Sequence, residues 1–230
     1  MCFVLVRFFV DGLTVADGFN VYHALRQAVR DRSRQPGEGA STVGAKSFDL
    51  PRYCRDFVRN VLPAGASLQG IEYFTAYATH LQPSQPDVVS RHMRYVECLE
   101  DLGVVVTVGR FKAVTGRHCA VCGAPVVRHE EKETDVAIAA SMMVAFATDA
   151  CDMAVLVTGD TDMAPAIRAA RRAFVEKRIG ILFPYGRSHD ELRRLTDVHR
   201  RTSLKQCFAF QLPDPFVTSD GRNIAKPTEW

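Results

Sequence analysis

The sequence predicts an α/β fold, a three-layer α/β/α arrangement with a mostly parallel central sheet of about five strands. Three observations carry this. Short β-branched runs alternate with helix-periodic segments along most of the 230 residues. The run Ala154-Val155-Leu156-Val157 is apolar at every position, as an inner strand of a parallel sheet requires. A composition of 47% hydrophobic and 24% charged residues suits a globular chain long enough to bury a sizeable core.

The elements follow in order. Leu13 to Asp17 reads as the strand that opens the sheet, and Asn20 to Arg30 as the helix after it. Arg32 to Lys46 is rich in Gly, Ser and Gln and reads as a mobile loop. Leu50 to Val61 has helical spacing, with Pro51 near its start and Pro63 past its end. Ile71 to Tyr77 reads as the second strand, Pro86 to Leu102 as a helix closed by Gly103, and Val104 to Val108 as the third strand. Residues 112–129 break the alternation and read as a small Cys-containing insertion, a ribbon or hairpin. Thr134 to Thr148 is alanine-rich and helical, with Thr134 placed to cap it. Ala154 to Thr158 is the fourth strand, Met163 to Val175 a helix, and Ile179 to Phe183 the fifth strand. Ser188 to Leu195 reads as a last helix, capped by Ser188 with Glu191 three residues on.

One domain is therefore expected over 13–212. Residues 1–12 form an N-terminal extension or extra strand: Cys2 to Val10 is apolar, but Arg7 interrupts it and Asp11 follows, unlike a secretory signal. Residues 213–230 read as a poorly ordered tail. No apolar stretch approaches the roughly 20 residues of a membrane span. Seven cysteines make an odd set, and Cys54, Cys98, Cys151 and Cys207 lie in apolar or helical surroundings, so a reducing, cytoplasmic setting is expected.

Charge is unevenly spread. The net is only +3, yet eleven Lys/Arg face four Asp/Glu between Ala166 and Lys205. A basic third beside an acidic remainder suits a polyanion held against a metal site; arginine-rich helix surfaces are the plainer alternative.

The acids carry the chemistry. Asp17 closes the first strand before Gly18, which permits a tight turn into the helix begun by Asn20. Asp160 and Asp162 follow the fourth strand, and Asp135 opens the alanine-rich helix. In a parallel sheet both strand ends emerge on one edge, where ligands of open α/β sheets bind. Carboxylates crowded there repel unless something positive lies between them, and a divalent metal with oxygen ligands is the natural candidate. Taken singly, each aspartate could instead cap a turn or helix.

The motifs Asp17-Gly18-Phe19-Asn20, Lys132-Glu133-Thr134-Asp135-Val136 and Val157-Thr158-Gly159-Asp160-Thr161-Asp162 resemble those of the NYN family of PIN-like ribonucleases. Arg178-Ile179-Gly180-Ile181, followed by Ser188 and Leu192, fits that family's last strand and helix, so the resemblance spans roughly Leu13 to Val198. It implies a PIN-like fold and an Mg²⁺- or Mn²⁺-dependent endoribonuclease hydrolysing RNA phosphodiesters. Carried over, Asp17, Asp135, Asp160 and Asp162 would be the catalytic, metal-binding acids and Asn20 an accessory polar group. The chain departs from the family at Glu133, where a glycine is common, leaving an extra acid in the motif.

Two readings stand for Cys119 and Cys122. They form a structural Zn²⁺ site completed by His118 and His129 or, as the plainer reading of a single pair, an unmetallated reduced pair; cysteines before the acidic motif in similar NYN proteins add some weight to zinc. Arg110, Lys112, Arg128 and Lys132 around the insertion, and Arg187, Arg193 and Arg194 after the fifth strand, are candidates to grip an RNA backbone. Phe111 and Tyr185 are candidates to stack on unpaired bases, with core packing as the alternative. The remaining histidines have no ligand spacing and receive no role.

The expected function is metal-dependent cleavage of single-stranded or structured RNA. The rival is a catalytically weak or inactive RNA- or protein-binding module of the same fold. A metal-dependent phosphatase is a third reading, opposed by the basic third. The oligomeric state is open, a homodimer included.

Overall fold

The β-branched segments pair as neighbours in a computed structural model that describes residues 11–34, 45–62, 64–118, 122–123 and 125–227. At the centre is β1 (Asp11–Asp17), flanked in parallel by β2 (Ser67–Ala76) and β5 (Met153–Val157). Outward from β2 come β3 (Val105–His118), parallel, and β4 (Pro125–Lys132), antiparallel. Outward from β5 come β6 (Arg178–Phe183) and β7 (Val198–Arg201), both parallel. The sheet thus runs β4-β3-β2-β1-β5-β6-β7.

Successive strand residues face opposite layers. Ala16, Val155 and Val157 join one buried cluster under α1 (Gly18–Arg32), α2 (Leu50–Val61), α3 (Val88–Asp101) and α7 (Leu204–Ala209). Val15, Ala154 and Leu156 join the other, under α4 (Thr134–Ala147), α5 (Ala164–Ala173) and α6 (Asp190–Leu195). All five residues of β5 are buried, which is why the run is apolar throughout. The chain walks from β1 through β2 to β3, then returns to β5 and walks the other way. The order therefore reverses between β1 and β5, and their C-terminal ends open a crevice there.

The sheet has two strands beyond the expected five. One, β4, is the return of the insertion, which extends β3 as a ribbon; its cross-strand pairs run from Arg110 with Lys132 to His118 with Pro125. The other, β7, reads Val-His-Arg-Arg and is half exposed, so no apolar run announces it. The tail also holds structure: β8 (Phe216–Val217) pairs with β9 (Asn223–Ile224), because Phe216 is buried in the first cluster and Arg222 is paired with Asp220 and Glu97. Expectations for residues 1–10, 35–44 and Cys119 lie outside the described residues. Among the described residues no helix is long and apolar enough to cross a membrane.

Two expected caps move. His189, not Ser188, caps α6, its Nδ1 accepting from the Glu191 N–H. At α4 the capping position is Glu133, and the Thr134 hydroxyl donates to Glu131 instead. Glu133 has φ 80°, the left-handed region that favours glycine. Its side chain points out to Arg110 at 2.6 Å, in an exposed pair of little worth. Glu133→Gly is therefore expected to raise stability by up to about 1 kcal/mol, read as a higher urea midpoint at unchanged slope.

Candidate acidic metal site

The C-terminal ends of β1 and β5 turn immediately into helical segments, and both turns are capped by aspartates. Asp17 caps α1, its Oδ1 accepting from the Asn20 N–H at 2.9 Å. Asp160 caps a single 3-10 turn at 161–163, its Oδ1 accepting from the Asp162 N–H at 3.0 Å. The capping alternative is thus realised at both positions, and it leaves each carboxylate further lone pairs.

Two buried polar links hold the turns together. The Thr158 hydroxyl donates to Asp17 Oδ2 at 3.0 Å and accepts from the Asp160 N–H at 3.1 Å. Asn20 Oδ1 accepts from the Gly159 N–H at 3.1 Å. Asn20 is buried, and through this bond it braces the β5 turn. Gly159 is required for a different reason: an added Cβ would sit 2.7 Å from Arg187 Cβ and inside the Arg187 carbonyl. Gly18 likewise lies against Tyr73 and the Phe74 carbonyl, which a Cβ would meet at 2.7 Å.

On this frame Asp135, Asp160 and Asp162 converge: one carboxylate oxygen from each lies within 4.8 Å of the other two. Among the described residues no Lys or Arg is paired with any of the three. Desolvation, then the charges of Asp160 and Asp162, hold the Asp135 carboxyl above its ordinary value. Asp17, expected as a fourth ligand, is not in this group among the described residues. It is 5% exposed, and burial pushes its pKa up to about 6 against the lowering effect of its two hydrogen bonds. The nearby charges of Glu131 and Asp135 push the same way.

Glu131 is an acid the sequence reading missed. It sits half-buried near the end of β4, raised above its ordinary value by desolvation and by Asp135. Thr158, the hydroxyl joining the two turns, was missed as well.

The ribbon register sorts the predicted basic residues. Phe111 pairs with Glu131 and Ala113 with His129, so these share one face. Arg110, Lys112, Arg128 and Lys132 fall on the opposite face, away from Glu131, and Arg110 and Lys132 are paired with Glu133 and Glu130. Arg187 lies half-buried with its backbone against Gly159, beside the acids. Arg193 pairs with Asp190 at 2.9 Å, and Arg194 is exposed. The Tyr185 ring packs on the first core cluster with its hydroxyl donating to Asp31, which favours the packing alternative.

The same register corrects the zinc set. His118 pairs with Pro125, four residues before His129, which puts the two histidines about 13 Å apart along the ribbon. His129 instead stacks on His80 at 4.1 Å. Cys122 is exposed, and Cys119 lies outside the described residues. The expected hydrophobic thiols do hold: Cys54, Cys98, Cys151 and Cys207 are buried and free.

The sequence profile of the NYN domain matches residues 16–202. No curated protein shows a significant match. Among solved structures, a protein of unknown function from Vibrio parahaemolyticus is similar, with a TM-score of 0.52 at 14% identity over 84% of this chain and 93% of that one. That likeness concerns the fold alone.

Proposed function

The chain belongs to the NYN domain family, and from that premise we propose that it is a metal-dependent endoribonuclease acting at the Asp135, Asp160 and Asp162 cluster. The observation that carries the proposal is the convergence of three carboxylate oxygens within 4.8 Å with no cationic side chain paired to them among the described residues. Such a group is destabilised by its own repulsion and suits a hard divalent cation with oxygen ligands, Mg²⁺ or Mn²⁺. A phosphodiester is itself an anion, so these acids alone would repel it. A bound divalent cation reverses the local sign, lowers the pKa of a water and stabilises the departing oxygen.

The chain's own residues do the rest. Asp135, Asp160 and Asp162 would hold the cation. Asp17 fixes the turn before α1 and sets a negative charge behind them, with Thr158 linking it to the β5 turn. Arg187, at the crevice edge, supplies positive charge for a backbone phosphate. Water is the nucleophile; one phosphorus–oxygen bond forms as another breaks, with no covalent link to the protein.

Incubation of mixed single-stranded and structured RNA with the protein tests this. Fragments are expected with Mn²⁺ or Mg²⁺ and none with EDTA. Tight binding without metal-dependent fragments would instead favour the rival reading, a binding module of this fold.

A further inference from the structure

A cleft of about 700 Å³ opens beside the acidic site and has no part in the chemistry above. Gly18 and Phe19, the two residues between Asp17 and Asn20, are part of its lining. From there five rings line it in unbroken contact. Phe19 lies 4.5 Å from His23 and 5.8 Å from Phe111; Phe111 lies 4.7 Å from His80, which stacks on His129 at an interplanar angle of 7°.

These rings are not core. None belongs to either buried cluster, and four separate elements supply them: α1, the 3-10 turn at 79–81, β3 and β4. A wall of half-exposed flat faces suits a flat, polarisable ligand. The cleft also has an unmet polar need, since His80 Nδ1 is shielded from solvent without a hydrogen-bond partner among the described residues. Its rim is positive: Arg26 lines it, and Arg187, Arg26 and Arg30 add to burial in holding the His23 pKa below its ordinary value. Flat faces, an unpaired edge group and a cationic rim next to a phosphodiester site together select a nucleotide over an apolar peptide.

We propose that this ring wall is a stacking subsite for an unpaired nucleobase of the strand cut at the acidic cluster, which makes single-stranded RNA the substrate. The subsite takes the position of the scissile phosphate from the nuclease reading. A base held in a duplex cannot leave its partner to enter the cleft without the loss of its pairing.

An abasic scan tests it. A short single-stranded RNA with a mapped cut is made with one abasic nucleotide, moved one position at a time. Cleavage is measured with Mn²⁺, and binding by fluorescence anisotropy in EDTA, for the wild type and for Phe111→Ala. At one position near the cut, loss of the base is expected to lower kcat/KM and affinity about tenfold in the wild type. In Phe111→Ala the same deletion should change them less than about twofold, because the stack is already gone. If Phe111→Ala does not fold, His129→Ala on the exposed ribbon serves in its place. A flat scan, or an equal loss in wild type and variant, overturns the subsite. Cleavage with a flat scan removes the subsite alone; a position-dependent scan in binding without any cleavage removes the nuclease reading alone.

Discussion

Asp160→Asn is expected to reduce metal-dependent RNA cleavage at least about a thousandfold while the protein stays folded. The two outcomes separate because the side chain does two things. Its Oδ1 accepts from the Asp162 N–H, and an asparagine oxygen does the same, so the 3-10 turn is kept. Its charge is what a cation among Asp135, Asp160 and Asp162 would need, and the amide removes it. Thermal unfolding with and without Mn²⁺ supplies the control. The wild type should melt higher with the metal, and the variant should respond less. Undiminished cleavage by a pure sample of the variant would end the assignment.

The second large effect concerns stability. In metal-free buffer Asp17→Asn should make the protein more stable at neutral pH, by up to about 3 kcal/mol, even as it removes activity. The Asp17 carboxyl titrates near 4 in an unfolded chain and at about 6 in the fold, where burial disfavours its charged form. Below pH 4 it is protonated in both states and nothing is lost. Between pH 4 and pH 6 the unfolded chain ionises first, so stability falls as pH rises. Above about pH 6 both states are ionised and the whole penalty is present. An amide at this position still offers an oxygen to the Asn20 N–H but carries no charge to bury. Urea unfolding across this range should therefore show wild type and variant level at pH 4 and diverging towards pH 7. Parallel curves would mean that burial does not tax this carboxylate.

Much of this arrangement was legible in the residues, for identifiable reasons. The apolar run before Thr158 and the Asp-Gly pair at 17–18 are local signals of strand ends, and a parallel sheet carries both ends to one edge. Asp135 was placed because a helix start can reach that edge. What stayed hidden depends on pairing. In the run Glu130-Glu131-Lys132-Glu133, alternation separates Glu131 from Glu130, but only the partner strand says which one faces the site. The same parity turned Arg110, Lys112, Arg128 and Lys132 away from Glu131, and the length of the ribbon between their register positions kept His129 from His118. Thr158 looked like the last residue of a buried strand, and no sequence pattern distinguishes a hydroxyl that bonds two turns from one that fills space. Of the ring wall only Phe111 was a stacking candidate, because Phe19, His23, His80, Phe111 and His129 have no common spacing.

The hydrogen bond from Thr158 to Asp17 joins residues 141 positions apart. Asp17 leaves the ribosome early, yet β5, whose following turn supplies two of the three clustered acids, must be synthesised and inserted beside β1 before the crevice exists. A nascent chain halted before residue 153 therefore has an open sheet edge where that strand belongs and no competent acidic centre.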